Sequence, residues 1–135
     1  MKRRLVFLLF PIVGAACDSA TSHYQTLAEA RADGVFERGW LPDVLPPSAY
    51  DISVRNNLDI NTSEGRFSFA LEDFPQFEER LKSLSEQAEE SSRPLAVAVS
   101  RQTGERYSVY RHREAGREWA FQCMSEQGYC RYYMQ

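Results

Sequence analysis

The chain has three cysteines, and the spacing of two of them predicts a structural disulfide. A hairpin centred on Glu126 and Gln127 places Cys123 directly opposite Cys130, at a separation that a cross-strand disulfide bridges. A redox-active pair is typically closer together, as in Cys-x-x-Cys. We therefore predict a structural Cys123–Cys130 disulfide, which leaves Cys17 for another role.

The histidines and carboxylates give no clear catalytic set. A serine–histidine–acid site needs a histidine that holds and orients a proton. The chain has only His23 and His112, and the arginines on either side of His112 disfavour its protonation. We expect both histidines at the surface and predict no catalytic residue.

The segment from Asp59 to Ser63 has the residue types of the first half of a calcium loop. The next position, which is glycine in such loops, is Glu64, and the twelfth position is Ala70 instead of glutamate. Turn chemistry explains Asp, Asn and Ser here equally well. The sequence predicts no metal site and no cofactor.

Two groups of residues form the predicted binding surface. Trp40 and Tyr50 flank three prolines, a composition that suits a groove for a peptide or a sugar; the alternative is that Trp40 fills the edge of the core. The second group consists of arginines that suit anionic headgroups or an anionic envelope polymer: Arg106, Arg111, Arg113 and Arg117.

The first 16 residues have the three regions of an export signal. Residues 2–4 are basic, residues 5–13 form an apolar run interrupted only by Pro11, and residues 14–16 are small. The apolar run is shorter than the roughly 20 residues that span a bilayer. We expect residues 1–16 to direct export and then to be removed.

The sequence Ala15-Ala16-Cys17-Asp18 resembles the end of a bacterial lipobox, whose cysteine is acylated and becomes the new N-terminus. The resemblance implies a lipid anchor at Cys17 on the periplasmic or outer face of a membrane. It also leaves an even number of cysteines for an oxidising compartment. Gly14 stands where the lipobox has a leucine-like residue, so secretion of a soluble protein is the alternative.

The charge of the mature chain excludes one class of partner. Without residues 1–16, 13 basic residues stand against 19 acidic ones, a net charge of −6, which argues against nucleic acid. Residues 17–90 carry a net charge of −9 and residues 91–135 a net charge of +3. Either these two parts face each other, or the second part presents an anion-binding face.

The element pattern predicts a tether at residues 17–22 and a single α+β domain at residues 23–135. We expect a helix at 23–33 capped by Ser22, a Pro-rich segment at 39–49 that wraps the core, and strands at 51–60 and 66–71. The apolar stripe of residues 73–90 predicts a long amphipathic helix. Period-two patterns predict four more strands, at 95–100, 105–113, 117–124 and 129–134. The fold prediction is an antiparallel sheet with the long helix packed on it and a short N-terminal helix.

The stretch Gly39-Trp-x-Pro-x-x-Leu-Pro-x-Ser-Ala-x-Asp-Ile52 resembles a pattern in a group of small uncharacterised bacterial exported proteins. The pattern is specific as a family marker. It implies no activity, so no functional residue is carried over.

Taken together, these features predict a non-catalytic lipoprotein of the cell envelope that binds a protein partner or an envelope component. One alternative is a small periplasmic inhibitor or immunity-type protein, whose disulfide-tied sheet presents a loop to an enzyme. Another is an enzyme with an acidic site near Trp40, formed by Asp51 or Asp59.

Overall fold

The computed structural model describes residues 19–88, 97–99, 106–114 and 116–135. The predicted export signal and Cys17 lie outside these ranges. In the part of the chain that the model describes, no helix is long and apolar enough to cross a bilayer.

One antiparallel sheet of seven strands dominates the described residues. The strands are β1 (Ser19–Thr26), β2 (Tyr50–Asn57), β3 (Thr62–Ser68), β4 (Val97–Val99), β5 (Arg106–Glu114), β6 (Arg117–Met124) and β7 (Tyr129–Met134). Their order across the sheet is β1-β2-β3-β7-β6-β5-β4, so the pairing of β3 with β7 joins an N-terminal and a C-terminal set of consecutive strands.

Two α-helices accompany the sheet: α1 (Leu27–Ala32) and α2 (Phe74–Ala88). The short 3-10 helix Leu71–Asp73 leads directly into α2. The predicted α+β fold, a sheet with one long helix packed on it and an N-terminal helix at 23–33, is wrong, because the described residues are mostly antiparallel sheet and the cover of that sheet is largely irregular chain.

The N-terminal helix is much shorter than predicted because its cap lies further along the chain. The Thr26 side chain accepts the backbone N–H of Glu29 at 3.2 Å, and the Glu29 carboxylate accepts the N–H of Gln25 at 2.7 Å. The Thr26 cap starts the helix at Leu27, and the bond of Glu29 to the preceding residue holds the chain that enters it. Residues 19–26, which the sequence divides between a tether and a helix, instead form the edge strand β1.

An irregular segment, more than α2, covers the sheet. Among the α2 side chains that the model describes, Phe77 and Leu81 are buried. The segment between α1 and β2 contributes five buried apolar residues: Val35, Leu41, Val44, Leu45 and Ala49. Its prolines prevent regular helix, so the chain follows the sheet surface in turns. The predicted wrapping of the core by this segment is confirmed, whereas the predicted helical layer is not.

Aromatic rings form the centre of the core. Phe67 on β3 lies edge-on to Phe77 of α2 and to Phe121 of β6, with ring centroids 6.0 and 6.5 Å apart. Phe69 contacts Phe77 as well, at 5.6 Å. These edge-to-face contacts connect the start of α2 with the middle of the sheet.

The predicted disulfide is confirmed. β6 and β7 have the predicted bounds, their register places Cys123 opposite Cys130, and the two residues are bonded on the covered face. Gly128 closes the turn between them in a left-handed conformation, with φ 59°.

The loop between β2 and β3 lies at residues 58–61 instead of the predicted 61–65. The Asn57 side chain sets this position, because its oxygen accepts the backbone N–H groups of Asp59 at 3.1 Å and Ile60 at 3.4 Å. Asn61 completes the turn with a positive φ of 51°.

Gly65 permits a close approach of β2, β3 and β7. A Cβ atom at this position would overlap the carbonyl oxygen of Ser53 and lie 2.7 Å from Cε1 of Tyr132. The ring of Tyr132 therefore occupies the space above the Gly65 backbone. Any larger residue at position 65 would separate the strands.

Replacing both Cys123 and Cys130 by alanine is expected to lower the free energy of unfolding by about 2 kcal/mol, because the disulfide closes a short loop in the unfolded chain. Urea unfolding of the variant and of the oxidised parent measures the difference. Equal midpoints for the two proteins would contradict this expectation.

The variant Gly65→Ala is expected to lower the free energy of unfolding by about 3 kcal/mol, because the methyl group meets backbone and a buried ring. Gly116→Ala is the matched control. Gly116 has a φ of 79°, and no atom lies within 4 Å of the added Cβ, so backbone strain alone costs about 1 kcal/mol. A smaller loss at position 65 than at position 116 would contradict the packing argument.

Candidate functional site

The two faces of the sheet differ in what covers them. Alternate residues of β2, β3, β6 and β7 are buried under α2 and the Pro-rich segment, as period-two geometry requires. The other residues point away from this cover and form what we call the open face. From β2, β3 and β7, three arginines and two tyrosines stand on it: Arg55, Arg66, Arg131, Tyr129 and Tyr133.

The open face is concave and forms a groove of about 500 Å³. Its lining is mainly polar and aromatic: Thr21, Ser53, Val54, Arg55, Glu64, Gly65, Arg66, Ala120, Gln122, Tyr129, Arg131, Tyr132 and Tyr133. Four strands contribute to its centre, so the positions of these side chains depend on the register of the sheet. A groove of this size is in the range of small-ligand sites.

Two arginines lie directly opposite each other at the centre of the groove. The register pairs Arg66 of β3 with Arg131 of β7, and the same row continues to Ser53 on one side and Gln122 on the other. Like charges that face each other across two strands destabilise a sheet. The row therefore carries an electrostatic cost that an anion between the two guanidinium groups would remove.

The neighbouring charges compensate this pair only in part. Glu64 pairs with Arg55 at 3.3 Å, in an exposed contact. Arg131 contacts Tyr129, with Nε 3.2 Å from the phenol oxygen. In the described ranges, no carboxylate forms an ion pair with Arg66. Within the described part of the groove, Arg66 is therefore the arginine that no carboxylate neutralises.

Tyr132 lies under the groove and adds no charge to it. Burial raises the pKa of its phenol well above the usual value, and the hydrogen bond from Ser63 opposes this only in part. The side chain stays a neutral phenol at any physiological pH. Its hydroxyl lies 3.5 Å from the Ser63 hydroxyl, which is also within 2.9 Å of the Trp40 carbonyl oxygen.

The arginines that the sequence singled out lie beside this groove. Arg111 and Arg113 are on the open face of β5, and both contact the carboxylate of Glu118, at 3.3 and 3.2 Å. Arg117 lies at the start of β6 with its guanidinium against the Gly39 backbone. Arg106 belongs to β5, but its side chain is outside the described part of the structure.

The predicted pairing of Trp40 with Tyr50 in one groove does not occur. Trp40 is half-buried against the core on the covered side, near the β3 end that holds Ser63. Tyr50 is exposed at the other end of the sheet, where it pairs with Thr26 and Ser68. Trp40 therefore fills the edge of the core, which was the alternative that the sequence left open.

The two acids of the enzyme hypothesis are also far apart. Asp51 lies at the start of β2 and Asp59 in the loop beyond its end, so the strand from Asp51 to Asn57, roughly 20 Å long, lies between them. Asp51 has a positive φ of 50° beside an irregularity in the β2–β3 register. His112 is buried, contrary to the surface position expected for it.

His23, Ser53 and Asp51 lie close together at the edge of the open face. The His23 Nδ1 atom is 3.2 Å from the Ser53 hydroxyl, and Nε2 is 3.4 Å from the Asp51 carboxylate. In a serine–histidine–acid triad the ring is oriented the other way, with Nε2 facing serine and a buried acid on Nδ1. Here the acid is exposed and the Gln25 amide lies 3.0 Å from Nε2. We describe the three residues as a polar network of the sheet edge.

The resemblance of residues 59–63 to a calcium loop has a structural explanation. Asn57 holds the backbone of this loop, and the Ser63 side chain is buried in hydrogen bonds to Asn56 and Trp40. Over the described residues, no group of three or more His, Cys, Asp or Glu side chains is arranged to hold a metal ion.

Sequence reasoning missed the central residues of the groove. Arg66 precedes the buried Phe67, and Arg131 lies between the buried Cys130 and Tyr132. The period-two pattern was enough to place each arginine on the outer face of its own strand. It could not show that the two strands are neighbours, because Arg66 and Arg131 lie 65 positions apart along the chain.

Comparison with known proteins gives one partial similarity. No curated protein and no solved structure gives a significant match to the chain. The family model described as the YbbD head domain matches residues 18–68. The match ends at the last residue of β3, so it includes the Gly39–Ile52 stretch but not β7 with Arg131. Residues 18–68 are therefore similar to the YbbD head domain, which is consistent with a small bacterial protein family.

Proposed function

We propose that the protein is a non-catalytic lipoprotein of the bacterial cell envelope, anchored through Cys17, whose open face binds an anionic envelope polymer. The observation that carries the proposal is the cross-strand pair of Arg66 and Arg131 at the centre of the groove. The register sets two guanidinium groups side by side, an arrangement that suits a bound phosphate or carboxylate group.

The distribution of charge supports an anionic ligand. The acidic residues of the N-terminal part lie largely on α1, the Pro-rich segment and the start of α2, on the covered side of the sheet. The ion pairs described for the arginines of the open face involve glutamates of the sheet itself, Glu64 and Glu118. The groove therefore keeps a local positive charge in a protein whose mature chain is acidic.

The shape and aromatic content of the groove support a chain-like ligand. Tyr129 and Tyr133 stand beside the arginine pair and offer flat apolar surfaces next to hydrogen-bonding groups. A polymer of sugar or polyol units with phosphate or carboxylate groups presents both kinds of partner. A nucleic acid is disfavoured by the net negative charge of the mature chain.

The export features and the number of cysteines support the anchor. Cys123 and Cys130 are bonded to each other, so Cys17 would be an unpaired thiol in an exported protein unless it is modified. Acylation after cleavage at Ala16 gives that cysteine a defined role. Lipid attachment also holds the groove close to polymers of the envelope.

Replacing Arg66 or Arg131 by glutamine is expected to weaken the binding of a polyanion by about tenfold or more, because each change removes a charge-assisted hydrogen bond. Inorganic polyphosphate and polyglutamate serve as probes in calorimetric titrations at two salt concentrations. The control is Arg80→Gln, an equal charge change on the exposed side of α2. An equal loss in all three variants, or no binding by the parent protein, would contradict the proposed site.

The same variants give a second, independent readout. Arg66→Gln is expected to raise the free energy of unfolding by about 0.5 kcal/mol, because it removes the repulsion of Arg131. Urea unfolding in the absence of the polyanion measures this change. If Arg66 contributed only packing, the same substitution would lower the free energy of unfolding.

The anchor is tested by the intact mass of the membrane fraction, for the parent protein and for Cys17→Ser. We expect a mass gain of the size of a diacylglycerol group that is absent from the variant. An unmodified parent protein in the soluble fraction would show that the protein is secreted without an anchor.

A further inference from the structure

At one end of the sheet, the start of β1 lies beside an exposed apolar loop. The first described residue, Ser19, pairs with Asn57, the last residue of β2. The next residues form the loop 58–61, whose aliphatic side chains Leu58 and Ile60 are 56% and 66% exposed. The start of β1 and this loop therefore lie side by side.

The backbone of this loop is fixed by hydrogen bonds and by a turn. This backbone keeps the two side chains exposed to solvent. The Asn57 side chain accepts the N–H groups of Asp59 and Ile60, and Asn61 turns the chain with a positive φ. Two neighbouring aliphatic side chains on a fixed loop tip form an apolar contact surface with no cover in the described residues.

The length of the intervening chain fixes the distance between this loop and the proposed anchor. Only Asp18 separates Cys17 from Ser19. Two residues of fully extended chain span at most about 7 Å. An acyl group on Cys17 thus brings the bilayer surface to the end of the sheet that carries Leu58 and Ile60.

We infer that the loop 58–61 rests on the lipid bilayer and buries Leu58 and Ile60 at the boundary between headgroups and acyl chains. This inference rests on the proposed anchoring at Cys17. Asp59 lies between the two aliphatic residues, and its carboxylate stays at the level of the headgroups, which limits the depth of the loop.

The turn between β5 and β6 lies at the same end of the sheet. The register continues from Ser63 to Met134 and on to Trp119, so the β5–β6 turn lies at the end of the sheet that carries the loop. Arg113 and Arg117 stand at that turn together with Glu114 and Glu118, so the turn carries no net charge to oppose contact with lipid headgroups. With this end on the membrane, the strands rise from the surface and the groove opens sideways, where a polymer reaches it.

An indole introduced at the loop tip tests the contact. Ile60→Trp is compared with Leu71→Trp, because Leu71 is equally apolar, 55% exposed and located at the opposite end of the sheet beside Gly128. Each full-length protein is purified from membranes and reconstituted into phosphatidylethanolamine–phosphatidylglycerol vesicles with or without brominated acyl chains. Emission is compared with that of the parent protein, which carries Trp40 and Trp119.

We expect the added emission at position 60 to shift to shorter wavelength and to lose most of its intensity in brominated vesicles. The added emission at position 71 is expected to stay unquenched. Intact mass of the same samples reports acylation separately. An acylated protein with no quenching at position 60, or with equal quenching at both positions, would overturn the inference and leave the anchor in place. Quenching at position 60 without acylation would support the loop contact and overturn the anchor.

Discussion

The ladder between β3 and β7 joins two sets of strands that are otherwise consecutive in the chain. β1, β2 and β3 pair in sequence order on one side, and β4, β5, β6 and β7 pair in sequence order on the other. The hydrogen bonds between these two sets therefore depend on the β3–β7 register, which pairs Phe67 with Cys130 and Arg66 with Arg131. A shift by one residue would exchange the covered and open faces of one set of strands, exposing Phe67 and burying Arg66. The disulfide and the tight fit at Gly65 both hold the chain at this junction.

The two faces created by this register differ in what packs against them. The covered face is packed by aromatic rings and by the Pro-rich segment. The Ser48 N–H of this segment donates to the Asp73 carboxylate, and the Ser48 hydroxyl accepts the N–H of Ala70, so the segment is fixed to the chain that leads from β3 into α2. On the same side, Glu78 of α2 accepts a hydrogen bond from the Tyr110 hydroxyl at 2.7 Å. That bond lowers the pKa of the Glu78 carboxyl, while burial and the same bond raise the pKa of Tyr110. The open face has no such cover in the described residues, and it carries the cross-strand pair of Arg66 and Arg131.

Each end of the sheet also has a distinct character. One end carries the start of β1, the loop with Leu58 and Ile60, and the β5–β6 turn. The other end carries Tyr50, Leu71 and the β6–β7 turn. The proposed ligand groove and the proposed membrane contact use different parts of the sheet, so one molecule can engage a membrane and a polymer at the same time.

The sequence by itself determined the features that depend on neighbouring residues. It gave the bounds of β6 and β7 and the Cys123–Cys130 disulfide, since a short hairpin brings these cysteines together whatever the rest of the chain does. It also placed the Pro-rich segment on the core. It did not give β1, because residues 19–26 become a strand only through pairing with β2, and a helix cap at Ser22 was locally as reasonable as one at Thr26. The groove was decided by tertiary structure alone: Arg66 and Arg131 are ordinary outward residues of separate strands, and only the long-range β3–β7 pairing makes them one site.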